Sequence, residues 1–175
     1  ELAHLKEIPT TSKLSPVDAA AILEAVASGF LPDAEAKGLD LRVQIQASPT
    51  ILAQPGHLRS LWKHLIDNAI RYTSRGQITV TLDEQDGRVV TSVTDSGIGV
   101  STDELSRIFE EFYRADSARE KVELGTGLGL PIVNQVVKVP GLDPDRLQSG
   151  EGQYVPDRSP ACASRPRCVR SAVEY

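Results

Sequence analysis

Four short runs in this chain carry residue types whose chemistry and spacing set them apart, and their order along the sequence matters as much as their content. The first is HLIDNAIRYT, residues 64–73. His64 and Asn68 are four apart, so on a helix they share a face, with Arg71 and Tyr72 a turn further on. Taken singly, Asn68 reads as a solvated helix residue and His64 as a surface or capping one. The second run is DSGIG, Asp95 to Gly99. A carboxylate at a strand end accepts from an exocyclic amine, and Gly97 and Gly99 let the backbone turn and approach a flat ring closely. Alone, these five residues are a plain turn. The third, IFEEFYR, spans Ile108 to Arg114 and reads as an amphipathic helix burying Ile108, Phe109, Phe112 and Tyr113; ten mostly polar residues follow it, suited to a mobile flap. The fourth, GTGLGL, runs from Gly125 to Leu130 and opens the last helix. Its free N–H groups and positive dipole end suit phosphate. The spacing is G-x-G-x-G with no Lys-Ser/Thr after it, so it is neither a P-loop nor the dinucleotide G-x-G-x-x-G fingerprint.

The elements that must position these groups follow from periodicity. Leu58, Leu61, Trp62, Leu65, Ile66, Ala69 and Ile70 fall at helical spacing behind Pro55, which suits a first helical position; His64, Asn68 and Arg71 lie off that stripe. Upstream, a short extended piece at Lys13–Pro16 precedes a helix capped by Asp18, weakened by Gly29 and Pro32 and ended by Gly38. Leu39–Gln46 alternates as a half-buried strand, and a brief strand follows at Ile51–Ala53. Ile78–Leu82 and Arg88–Asp95 form a hairpin through Asp86-Gly87. Thr102–Arg114 and Leu128–Lys138 read as the last helices. This order predicts an α+β fold, a two-layer sandwich with a mixed sheet and helices on one face.

Composition sets outer bounds. With 175 residues, 40% hydrophobic and 25% charged, the chain suits one globular domain. A net charge of −5 argues against a general nucleic-acid or anionic-membrane binder. No apolar run approaches membrane-spanning length. The chain begins at Glu1 and has no Met, as expected of a fragment of a longer protein whose parent is open to membrane anchoring. Cys162 and Cys168 have no partner motif and give no metal site.

In this order the four runs resemble the N, G1, F and G2 boxes of sensor histidine kinases, specifically their C-terminal catalytic ATP-binding domain in the GHKL ATPase superfamily. The resemblance extends from about Leu14 to Lys138, and FEEFYR points to histidine kinases within the superfamily. It implies a Bergerat-type fold, a cytoplasmic domain, and ATP with Mg²⁺ as cofactors. Asn68 would coordinate the Mg²⁺, Arg71 would sit near phosphate and Tyr72 against the adenine. Asp95 would accept from the adenine N6 amine in a pocket shaped by Gly97 and Gly99. Residues 115–124 would be the ATP lid, hinged at Arg114, and Gly125, Thr126, Gly127, Leu128 and Gly129 would wrap the phosphates. The implied partners are the dimerisation and phosphoacceptor domain of the parent kinase and, indirectly, a response-regulator receiver domain. The parent's anchorage would be in the inner membrane.

The chain departs from that pattern in three places. His64 stands where most sensor kinases have a second Asn; chemotaxis kinases resemble this chain there, and the resemblance has His64 reaching the phosphate or the metal-water shell. Gyrase-like and chaperone ATPases carry a water-activating Glu at this position, and its absence favours kinase over hydrolase. Next, neither His4 nor His57 matches a phosphoacceptor H-box, so residues 1–13 read as the end of a dimerisation helix and linker. Finally, residues 139–175 hold five of the eleven prolines and show no alternation, where the family has two more strands. Read one nucleotide later with favourable codons, the stretch from Leu142 resembles that missing strand–turn–strand. The expectation is a frameshift near Pro140 and a sheet lacking its last two strands, against a natural divergent or disordered tail. Two other functions remain open: a catalytically dead nucleotide-binding or docking module, and an anti-sigma-factor serine kinase on the same fold.

Overall fold

The computed structural model describes residues 14–85, 88–101, 104, 107, 108, 110, 112–114, 129–131, 133 and 170–174. Strand β1 (Ser15–Asp18) leads directly into helix α1 (Ala19–Ala36). Asp18 ends the strand and caps the helix, its Oδ1 accepting from the Ala21 amide at 3.1 Å. The helix runs through Pro32 to Ala36. Pro32 and Ser28, the residue whose carbonyl loses its partner, both lie on the exposed side, where water can take the missing bond.

Strands β2 (Leu39–Ile45), β3 (Thr50–Ala53), β4 (Gly76–Gln85), β5 (Arg88–Asp95) and β6 (Arg170–Glu174), with helix α2 (Pro55–Tyr72), complete the described elements. β1 and β3 form a small antiparallel ribbon. The main sheet has the order β2-β4-β5-β6, parallel at its first pairing and antiparallel at the other two. This is the mixed sheet expected. Gln85 pairs directly with Arg88, so β4 and β5 are joined by two residues, which lie outside the described ones.

One face of the sheet carries the core. Ile78, Val80 and Leu82 of β4 alternate inward with Val89, Thr91 and Val93 of β5, all buried. The apolar stripe of α2 lies over them, and α1 packs against α2 and β2. Full burial of each large apolar side chain contributes about 1.5–3 kcal/mol. Trp62 is wholly buried, and its Nε1 donates at 3.2 Å to Thr91 Oγ1, which in turn donates to the Thr81 carbonyl at 3.0 Å. This relay satisfies the polar atoms of the core and fixes α2 across the hairpin.

Two expectations need correction. The tail shows no alternation in sequence, yet Arg170–Glu174 pairs antiparallel with β5 and occupies one of the two strand places expected to be empty. The described residues of the Thr102–Arg114 stretch form turns, with i→i−3 bonds from Arg107 N to Glu104 O, Glu110 N to Arg107 O and Tyr113 N to Glu110 O beside one i→i−4 bond from Ile108 N to Glu104 O. Phe112 has φ of 63°, left-handed backbone that a side chain with a β-carbon opposes, and that breaks a right-handed helix there. Its ring is exposed rather than buried. Of the expected last helix, Gly129–Pro131 and Val133 are helical, and Val133 joins the core.

Candidate functional site

The C-terminal half of α2 is the spine of the site. Its stripe of Leu65, Ile66, Ala69 and Ile70 is pressed into the core, which turns His64, Asp67, Asn68, Arg71 and Tyr72 to the half-buried flank. Gly129 approaches this flank closely. A β-carbon on Gly129 would stand 3.4 Å from both Oδ1 and Nδ2 of Asn68. The start of the last helix and the amide of α2 therefore meet, although Gly125, Thr126, Gly127 and Leu128 lie outside the described residues. Among the described residues none bonds the Asn68 amide or the His64 ring. Burial holds the His64 imidazole below its usual pKa, helped by Lys63 and opposed by Asp67, which favours the neutral ring at neutral pH.

Arg71 is differently placed. Its Nη2 donates to Asp67 Oδ2 at 2.9 Å, an i,i+4 pair on the same helix, so Arg71 reaches a phosphate only by leaving or sharing that carboxylate. Both partners are more than a third exposed, and such pairs contribute about 0.3–0.5 kcal/mol.

At the end of α2 the chain turns, and the DSGIG loop closes against the turn. Ile98 N donates to the Tyr72 carbonyl at 3.3 Å, and Ser96 N to the Gln77 carbonyl at 3.2 Å. Asp95 Oδ1 accepts from Gly97 N at 2.8 Å and, weakly, from Thr73 Oγ1 at 3.5 Å. No described residue donates to Oδ2, which leaves it available to an outside donor. Burial pushes the Asp95 carboxyl above its ordinary range, against the lowering effect of the Gly97 and Thr73 bonds. A β-carbon on Gly97 would fall 2.6 Å from the Tyr72 carbonyl and 2.7 Å from Asp95 Oδ1, so no other residue fits without moving backbone. Gly99, with φ of 68°, carries the loop away.

Beyond the loop, Ser101 Oγ and Tyr113 OH both donate to Glu104, at 2.6 and 3.2 Å, and the Arg107 guanidinium lies 4.3 Å over the Tyr113 ring. These contacts tie the two ends of the segment to each other and fix the approach to half-buried Arg114. Residues 115–124 lie outside the described ones.

The structure thus gathers Asn68, Tyr72, Asp95, Gly97 and Gly129 around the last two turns of α2. Sequence reasoning passed over two residues that support them. Thr73, wholly buried, backs Asp95. Lys37, at the end of α1, reaches across to the end of α2: its Nζ donates to the carbonyls of Ile70 at 2.8 Å and Arg71 at 3.2 Å. The only sequence signal for Thr73 was its place directly after a helix ending beside a strand-end carboxylate. Lys37 gives none, because its contact spans more than thirty residues.

Mg²⁺ takes oxygen ligands and keeps several waters, so one amide oxygen suffices as a protein anchor when phosphates supply the rest. The half-buried Asn68 amide, bonded by no described residue, fits that requirement. Among the described residues no group of three or more His, Cys, Asp and Glu is able to hold a metal on its own.

A helix-borne amide, a strand-end aspartate and a glycine beside that amide are thus carried on a mixed sheet with helices on one face. Residues 53–155 match the model of the histidine kinase-, DNA gyrase B- and HSP90-like ATPase family, and the chain belongs to that family. Its similarity is to the sensor-kinase branch. It is 34% identical over 125 residues to the signal transduction histidine-protein kinase BaeS of Escherichia coli K12, covering 71% of this chain and 27% of BaeS. Among solved structures, full-length ShkA in complex with AMPPNP superposes with a TM-score of 0.63 at 38% identity, over 71% of this chain and 26% of ShkA. The mycobacterial sensor histidine kinase MprB gives 0.61 at 25% identity, over 71% and 78%. The chain spans 27% of BaeS and 36% of the sensor-like histidine kinase SenX3 of Mycolicibacterium smegmatis, so it corresponds to one part of such proteins. Among the described residues no helix is long and apolar enough to cross a membrane.

Proposed function

We propose that this chain is the catalytic ATP-binding domain of a two-component sensor histidine kinase and transfers the γ-phosphate of ATP to a histidine on a separate dimerisation domain. The observation that carries the reading is the joining of two half-sites by one helix end: Gly129 against the Asn68 amide, and one turn later the Tyr72–Thr73 corner locked to Asp95–Gly97. The open Oδ2 of Asp95 accepts from the adenine N6 amine, while the close turn at Gly97 admits the flat ring beside Tyr72. Asn68 Oδ1 anchors the Mg²⁺ that accompanies the triphosphate. That ion supplies charge neutralisation across the phosphates, the main requirement of phosphoryl transfer. Arg71, released from Asp67, adds a cation on the same flank, and the neutral His64 ring offers a hydrogen bond to phosphate or a metal-bound water. By the resemblance Arg114 is a phosphate contact and Gly129 lets backbone approach the Asn68 amide, while residues 115–128 lie outside the described ones.

In the transfer the acceptor imidazole nitrogen attacks phosphorus, a P–N bond forms, and the bond to the β-phosphate oxygen breaks. ADP leaves, and the imidazole N–H proton passes to solvent. The phosphohistidine then serves a response-regulator receiver domain. The domain works in the cytoplasm.

The test supplies an acceptor-helix domain from a related sensor kinase together with Mg-ATP labelled at the γ-phosphate. Acid-labile, base-stable label on the acceptor histidine is the expected result. Asn68→Ala lowers the transfer rate about 100-fold, the size typical of one lost electrostatic contact, with an unchanged melting temperature. Nucleotide binding without transfer to any acceptor would instead identify a docking module.

A further inference from the structure

A helix end leaves its last carbonyls without intrahelical partners, and at the end of α2 those of Ile70, Arg71 and Tyr72 each find one outside the helix. The Ala69 carbonyl accepts from Thr73 N at 3.1 Å, and the Tyr72 carbonyl from Ile98 N at 3.3 Å. The two between them, Ile70 and Arg71, are both held by Lys37 Nζ, at 2.8 and 3.2 Å. A remote side chain thus serves two of these three carbonyls. Its ammonium sits where the helix dipole is negative, the favourable place for a cation.

The neighbouring pair of bonds is the hinge of the site. Tyr72 O and Thr73 face the loop that carries Asp95 and Gly97, and the tolerance there is small: the Gly97 α-carbon has no room for a methyl group against the Tyr72 carbonyl. A shift of a few tenths of an ångström in the Ile70–Arg71–Tyr72 backbone therefore passes directly to the aspartate. Lys37 itself lies at the surface, at the C-cap of α1, outside the apolar core. Water can solvate the two carbonyls if the lysine is lost, so the expected consequence is a loosened corner in a folded domain.

We propose that Lys37 is a positioning residue of the nucleotide site, holding the end of α2 in the register that presents Tyr72 and Thr73 to the Asp95 loop. The proposal rests on the nucleotide reading given above. Its test compares Lys37→Met and Lys37→Arg with the unaltered chain in two measurements. The first is amide hydrogen exchange in the nucleotide-free protein. In Lys37→Met the Ile98 amide exchanges about tenfold faster while Val80 in the central strand keeps its rate, as expected of local rather than global opening. The second is affinity for a non-hydrolysable Mg-ATP analogue, which falls about fivefold in Lys37→Met, within the range of a helix-terminus charge interaction. Lys37→Arg restores both to within about twofold, since the guanidinium donates to the same carbonyls.

Equal acceleration at Ile98 and Val80 overturns the proposal, because Lys37 is then a general stabiliser. Unchanged exchange at Ile98, or unchanged affinity alongside nucleotide binding by the unaltered chain, overturns it as well. If the unaltered chain binds no Mg-nucleotide, the nucleotide reading itself falls, and the role of Lys37 in that site falls with it.

Discussion

The two halves of the site are built on opposite principles. On the Asp95 side nearly every contact is made by backbone: the Ile98 and Gly97 amides, the Tyr72 carbonyl and a glycine with no room for a β-carbon. On the Asn68 side the groups are side chains on a helix flank, two of them bonded by no described residue and one, Arg71, paired with Asp67. The first half is preorganised, so its cost was met in folding. The second consists of side chains that can rotate, so its geometry is adjustable. A flat ring of fixed shape suits the rigid half, and a charged chain with a metal ion suits the adaptable one.

The contrast is most severely tested at Gly97. In Gly97→Ala the new methyl group meets backbone at 2.6 Å and the aspartate at 2.7 Å, so the loop must move. Overpacking of this kind costs about 1–3 kcal/mol. Affinity for an ATP analogue, read by calorimetry, should fall by about two orders of magnitude, since two such kcal/mol alone give about thirtyfold and Asp95 is displaced as well. An affinity close to the unaltered value would mean that the Asp95 half is as adaptable as the other.

Asp95→Asn separates recognition from folding. The carboxyl has its pKa raised mainly by burial, so folding disfavours its ionised form. The stability associated with the protonated group is fully present below the unfolded pKa and lost as pH rises through the folded one. At neutral pH the ionised Asp95 is therefore a stability cost that Asn removes while still accepting from Gly97. The melting temperature of Asp95→Asn should exceed that of the unaltered chain at pH 7, with the difference vanishing near pH 3. Analogue affinity should drop about 20-fold, the scale of a hydrogen bond to a charged group. In the unaltered chain, affinity should begin to weaken on acidification at a higher pH than an ordinary aspartate would give.

How much of this was legible in the residues depended on the range of the contacts. The stripe from Leu58 to Ile70 fixed α2 and its free flank, and alternation with Asp-Gly fixed the β4–β5 hairpin, because both signals are local. Asn68 and Asp95 were found as types in order, although nothing local said that one helix end joins them. Thr73 and Lys37 were passed over because their partners are more than twenty and thirty residues away. The Thr102–Arg114 stretch has helical periodicity, yet the left-handed Phe112 interrupts it, a backbone choice that periodicity does not register. In the tail, the expected absence of strands rested on prolines that all precede Arg170, so it did not bear on the segment that pairs with β5.

A smaller effect is expected at Gly129, on the adaptable side. A β-carbon there comes to 3.4 Å from the Asn68 amide, van der Waals contact with a side chain that can rotate away. Replacing a helical glycine with alanine stabilises by about 0.5–1 kcal/mol. Gly129→Ala should thus raise the melting temperature slightly and weaken Mg-dependent binding only about threefold, the energy of a modest rotamer shift. A loss as large as that in Gly97→Ala would show that the Asn68 half is no less rigid than its partner.

The smallest effect concerns the other end of α2, where the contrast should disappear. The N-cap is Gln54, whose side chain makes no capping bond, and its Oε1 is buried with no partner among the described residues. Asp at this position has the length to accept from the first-turn amides, and its charge suits the positive end of the helix dipole. Gln54→Asp should stabilise the fold by about 0.5–1 kcal/mol, readable as a shift in the urea midpoint with an unchanged slope. Because the site is gathered around the last two turns, analogue affinity should stay the same. If the cap variant tightens or weakens binding, strain is transmitted along all of α2, and the C-terminal corner is then not the independent unit that its fully satisfied carbonyls imply.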